Sequence, residues 1–131
     1  MKILDSDHCI ALLRGKLDLR ERVSALEELA ITAISVGELA HGAHKSARAA
    51  ENLARLDVLL ATLTVLPYDE VAARQFGALK AGLESSGRRL SDLDLQIAAI
   101  VLQHGAPLIS HNRQHFERVP ALVLEDWLGD R

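Results

Sequence analysis

Asp5, Glu38, Asp94 and Asn112 are spread along the chain, yet each falls near the start of a polar stretch that follows or faces a short apolar run. If they meet, three carboxylates and an amide offer mostly hard oxygen donors. That chemistry suits a divalent cation such as Mg2+ or Mn2+ rather than zinc. Two like charges about 4 Å apart repel by roughly 4 kcal/mol at an effective dielectric of 20. A cation that neutralises them lets a fold keep such a group, and Mg2+ on a few carboxylates, with water completing its shell, serves phosphoryl transfer. Each acid also has a structural explanation. Asp5 or Asp7 could N-cap the first helix. Ser35-Val-Gly-Glu38 fits the S-x-x-E capping box, and Ser91-Asp-Leu-Asp94 nearly does. The helix dipole alone favours acids in a first turn. Singly the acids are explained as caps; as a group they point to a cation.

Short strands alternating with longer helices must bring these residues together. Strands are expected at Lys2–Asp5, Ala30–Ile34, Leu63–Leu66 and Pro107–Ser110, with a fifth at Leu122–Leu124. Helices are expected at Asp7–Arg14, stopped by Gly15, at Leu19–Leu29, Ser35–Ala43 and Ala47–Ala61, at Asp69–Ser85, and at Ser91–Gln103, stopped by Gly105. Such alternation implies an α/β domain: a parallel sheet of four to five short strands flanked by helices on both faces. Ligands of such sheets sit beyond the carboxyl ends of the strands. Asp5, Glu38 and Asn112 follow strands and fall at that edge by topology. Asp94 has no strand directly before its helix.

Composition limits the alternatives. The chain has 131 residues, 49% hydrophobic and 25% charged, with a net charge of −3. That length supports one domain with a core that needs no staples. Cys9 is the single cysteine, so no intrachain disulfide forms and thiolate-rich zinc sites are excluded. No apolar run approaches a membrane span. The first apolar stretch is cut by Asp5, unlike a signal peptide. A cytoplasmic location is the expectation. Aromatic residues are only 3%, which argues against a base-stacking platform. His41 and His44, like His111 and His115, lack a metal-motif context and read as surface or loop residues, with His111 near the site through its neighbour Asn112.

Five stretches in order, ILDSDHCIALLRG (3–15), ITAISVGELAHGA (31–43), LPYDEVAARQFGAL (66–79), GRRLSDLDLQIAA (87–99) and LISHNRQHFERVPALVLEDW (108–127), run nearly from end to end. The set resembles the PIN-domain ribonucleases, in particular the VapC-like toxins of type II toxin–antitoxin pairs. The resemblance implies a single PIN-like nuclease domain over 1–131 and metal-dependent hydrolysis of RNA phosphodiester bonds, with Mg2+ or Mn2+ as cofactor. Asp5, Glu38 and Asp94 match the family's three metal-binding acids. Asn112 falls at a fourth catalytic position, where members carry aspartate or asparagine. Asp7 departs from the asparagine of many relatives and is expected to order the next turn close to the site. Asp92, about 200° around the helix from Asp94, is expected to face solvent or stand behind the site. Ser6, Ser110 and Asn112 would position the attacking water. Arg14, Arg89 and Arg113 would bind flanking phosphates, although each alone reads as solvated surface.

The same resemblance implies a homodimer neutralised by a cognate VapB-like antitoxin that packs on helices and can insert an arginine among the acids. Leucine and alanine over Leu53–Leu63, with Ile10, Leu12 and Leu13, would suit either another chain or the domain's own core. Three other functions compete: a housekeeping RNA-processing PIN nuclease without an antitoxin, a related DNA nuclease, and a receiver-like signalling domain.

Overall fold

The computed structural model describes residues 1–129; Asp130 and Arg131, the last two of the expected 1–131 domain, lie outside the described residues. Five strands, β1 (Lys2–Leu4), β2 (Leu29–Thr32), β3 (Thr64–Leu66), β4 (Leu108–Ile109) and β5 (Leu124–Glu125), form one sheet in the order β3-β2-β1-β4-β5. All neighbouring pairs are parallel, with Ile3 opposite both Ala30 and Leu108. The helices are α1 (Ser6–Leu13), α2 (Ala33–Lys45), α3 (Ala49–Leu60), α4 (Glu70–Ser85), α5 (Asp92–His104) and the short α6 (Arg113–Phe116).

Alternate strand residues feed two cores, because successive side chains point to opposite faces of a sheet. Ile3, Ala30 and Leu108 pack with α4, α5 and Phe116 on one face. Leu4, Ile31 and Ile109 pack with Cys9, Leu39, Leu56 and Trp127 on the other. Burial on both faces explains why these strands read as continuous apolar runs rather than alternating ones.

Two local expectations are corrected. Leu19–Leu29 is not a helix: a single 3-10 turn, Leu19–Glu21, is capped by Asp18, and Leu29 already belongs to β2. The periodic apolar residues there do not share a buried face, since Leu26 is 96% exposed. Tertiary bonds extend the segment instead: the amino terminus pairs with Glu27 at 3.0 Å and the Lys2 N–H donates to the Glu28 carbonyl. Nor does Ser35 open a capping box. Helix α2 begins two residues earlier, and Thr32 is its cap, Oγ1 accepting from the Ser35 N–H at 3.1 Å. Thr32 is fully buried, so Thr32→Val, which keeps the shape and removes the cap, is expected to cost about 1 kcal/mol. The readout is a lower urea midpoint with an unchanged m-value.

Strand and helix ends elsewhere shift by a residue or two. Ser91 does cap α5, accepting from the Asp94 N–H, and Gly105 closes that helix in the left-handed region at φ 62°. Among the described residues, no helix is long and apolar enough to cross a membrane.

Candidate active site at the strand switch point

The chain winds outward from β1 in both directions, to β2 and β3 on one side and to β4 and β5 on the other. The crevice between β1 and β4 is therefore the switch point where sheets of this type bind ligands. Asp5 follows β1 directly and caps α1, Oδ1 accepting the Ser6 N–H at 2.9 Å. Its Oδ2 accepts the Ser110 hydroxyl at 2.7 Å, and Ser110 follows β4. Ser110 Oγ in turn accepts the Asn112 N–H at 3.0 Å. One buried serine thus joins the two strand ends and sets the turn that carries Asn112. The cap explanation of Asp5 holds, and the same carboxylate lies at the switch point.

Glu38 lies in the second turn of α2, half-buried, with the Ser6 hydroxyl donating to its Oε1 at 3.2 Å. Its carboxylate does not reach back along its own helix. Helix α5 packs on α2 and β2 as well as on α4, which brings its first turn into this group. Asp94 sits there, close enough for its charge to act on Glu38, and its Oδ2 lies 3.5 Å from His115 Nδ1. Asp92, on the other side of the helix, is exposed and pairs with Lys80 at 2.9 Å, as the helical period requires.

The electrostatics show strain. Burial pushes the Asp5 carboxyl up to about 6; the Asp7 and Glu38 charges add to it, against the bonds from Ser110 and Ser6. Glu38 is also raised, by burial first and then by Asp94 and Asp7, with Ser6 opposing. Beneath them, burial and then the charges of Asp5 and Asp7 push the Cys9 thiol up to about 12, so it stays an inert core residue.

The donor set is carboxylate, hydroxyl and amide, which fits a hard divalent cation. Among the described residues, no three acidic, histidine or cysteine side chains yet close into a ligand set. Asp5, Glu38 and Asp94 are gathered near the switch point, within reach of one another's charge, without closing into such a set. This arrangement suits an ion that keeps several waters, as Mg2+ does.

The remaining expected residues lie at varied distances from this centre. Arg14 is exposed and lines both the groove beside Glu38 and the cleft beside Asp7. Arg113 follows Asn112 but pairs with Glu117 at 3.4 Å, and Arg89 is exposed, its carbonyl accepting from Arg118. Residues not foreseen complete the setting. His8 is fully buried between Asp7 and the Trp127 backbone. Asp126 accepts from the Leu128 N–H at 2.9 Å and pairs with His111 Nδ1 at 2.8 Å. Burial opposes the charge of Asp126, but His111 and the Leu128 and Gly129 N–H groups outweigh it and lower its pKa. A buried histidine next to an acid had only adjacency as its signal.

A model of the PIN domain matches residues 2–122. Ribonuclease VapC2 of Haemophilus influenzae is 38% identical over 101 residues, 77% of this chain and 76% of that protein. The tRNA(fMet)-specific endonuclease VapC of Shigella flexneri is 33% identical over 127 residues, 95% and 96% of the two chains. A crystal structure of DNA-bound VapBC from Salmonella typhimurium superposes with a TM-score of 0.89 at 33% identity, over 96% of this chain and 97% of the other. Metal-dependent catalysis is general among PIN ribonucleases. On fold, site and kinship together, the chain belongs to the PIN-domain family, among the VapC ribonucleases.

Proposed function

We propose that this chain is the toxin of a type II toxin–antitoxin pair: a cytoplasmic endoribonuclease, one PIN-like domain, that uses Mg2+ or Mn2+ to hydrolyse RNA phosphodiester bonds. One observation carries the reading. Asp5 is buried at the switch point, burial first and then the charges of Asp7 and Glu38 raise its pKa, and burial with Asp94 and Asp7 raises that of Glu38. A cation offsets that repulsion.

Asp5, Glu38 and Asp94 would hold the ion, and Asn112 would offer an acceptor beside it without adding charge. Bound there, a divalent ion supplies a Lewis acid that lowers the pKa of water and offsets charge on the phosphate. Ser6 and Ser110 orient the carboxylates on which this depends, each through a direct hydrogen bond. Asp7 holds the turn before Asn112. Arg14, Arg89 and Arg113, all exposed, meet flanking phosphates and steer RNA rather than reshape the site.

The partners follow from the surface beside the site. A groove lined by Ile10, Leu13, Leu39 and Leu56 runs up to Glu38, and Ile10 is 38% exposed. An apolar helix of a VapB-like antitoxin fits there, with an arginine reaching the acids. A homodimer completes the assembly. The receiver-like alternative falls with membership of the PIN family.

Ser110→Ala tests the positioning part of this reading. It strips Asp5 of its shortest bond and leaves the Asn112 N–H without its acceptor. Cleavage of a single-stranded RNA is expected to slow about 10- to 100-fold, and stability to fall by about 1–2 kcal/mol. Full activity in the variant would remove Ser110 from the site.

A further inference from the structure

His8 is fully buried, and both ring nitrogens are engaged. The Trp127 N–H donates to Nε2 at 3.0 Å, so Nε2 is the acceptor and the proton sits on Nδ1. Nδ1 lies 2.6 Å from Asp7 Oδ1 and donates to it. The other oxygen of Asp7, Oδ2, accepts the His111 N–H at 2.9 Å, across the crevice from α1. The Ser110 hydroxyl lies 3.5 Å from that oxygen but 2.7 Å from Asp5, and its one proton goes to the nearer acid. Asp7 is therefore held by His8 on one side and grips the turn after β4 on the other.

Resting on the nuclease reading above, we propose that His8 is a positioning residue for the cleavage reaction, acting through Asp7 on the turn that presents Ser110 and Asn112. A half-buried aspartate has several rotamers. The His8 bond selects the one that reaches His111, so the turn has one setting relative to Asp5. A histidine that only filled the core would need a neighbour at each nitrogen, but it would not need this neighbour to bridge two strand ends. Trp127 N–H fixes the tautomer, which ties the segment after β5 into the same device. His8 touches no substrate in this scheme.

Two substitutions separate the halves of the ring. His8→Asn keeps an N–H donor where Nδ1 stands and drops the Nε2 acceptor. His8→Gln places an acceptor near Nε2 and drops the donor to Asp7. Both are tested in the full antitoxin-free chain with a single-stranded RNA and Mn2+. His8→Gln is expected to lose about 30-fold in kcat with KM within twofold. His8→Asn should stay within about threefold of wild type. Asp7→Ala is expected to match His8→Gln, and the double variant to be no slower than Asp7→Ala alone.

Hydrogen exchange at the His111 amide reads the tether without any reference to activity. It is expected to accelerate at least tenfold in His8→Gln and to hold in His8→Asn. Equal kcat losses in the two variants, additive losses with Asp7→Ala, or unchanged His111 exchange in His8→Gln would overturn the proposal. A wild type that cleaves no RNA would count against the nuclease reading, and the exchange result would then decide the tether by itself.

Discussion

Asparagine in place of Asp5 is expected to give a protein that is more stable without metal and unable to cleave RNA. Asp5 is 6% exposed, and its pKa rises from 3.8 to about 6, by burial first and by Asp7 and Glu38 after it. An acid raised in this way binds its proton more tightly folded than unfolded. The native state thus holds more protons between about pH 4 and pH 6, and stability falls as pH rises through that window. Above it the cost is fully present: about 3 kcal/mol, for roughly two units at 1.36 kcal/mol each.

Asparagine removes the charge while its Oδ1 still accepts the Ser6 N–H. In EDTA near pH 7.5, thermal unfolding of Asp5→Asn is expected about 5–10 °C above wild type. Near pH 4 the difference should vanish. Added Mn2+ should raise the wild-type Tm near pH 7.5 and leave that of Asp5→Asn in place. A variant less stable than wild type near neutral pH would mean that the Ser110 and Ser6 bonds outweigh the burial and repulsion described above.

Two acids on one helix turn give the other large effect. Asp94→Asn is expected to slow RNA cleavage on the order of 10³-fold, with the fold kept, as removal of a charge that stabilises the reacting centre does. Asp92→Asn, two residues away, should stay within about twofold, because Asp92 is exposed and spends its charge on Lys80. The pair is compared at saturating Mn2+ on one RNA substrate. Equal losses would mean that the helix presents either acid to the site.

The elements that carry this site were legible where a local signal and the tertiary demand agree. Burial on both faces makes β1, β2 and β4 read as apolar runs, and Asp5 ends the first of them. The two late helices α4 and α5 start within a residue of their expected starts at Asp69 and Ser91, which turn out to be their caps. Agreement failed where a long-range bond overrides local pattern. Over residues 19–29 the helical spacing of Val23, Leu26 and Leu29 is real, but β1 needs Leu29 as a strand partner. At α2 two hydroxyls compete for the cap, and the strand geometry of Thr32 wins over Ser35. The placement of Asp5 and Asn112 at one sheet edge was legible because α/β topology gathers strand ends; Asp94, with no strand before its helix, was reached only through the family resemblance. His8 and Asp126 were not legible, because their roles depend on the segment after β5 folding back across α1. Nothing local in DSDHC or LEDW records that return.

The most direct test of a cation-dependent nuclease at these acids is cleavage of a mixed pool of single-stranded and structured RNA by the purified, antitoxin-free chain, with Mg2+ or Mn2+ and then with excess EDTA. The expected result is cleavage that stops with EDTA and returns when the ion is restored. Cleavage that persists in EDTA, or none at all from a folded protein supplied with either ion, would contradict it and leave Asp5 as a helix cap and Glu38 and Asp94 as acids in the early turns of their helices.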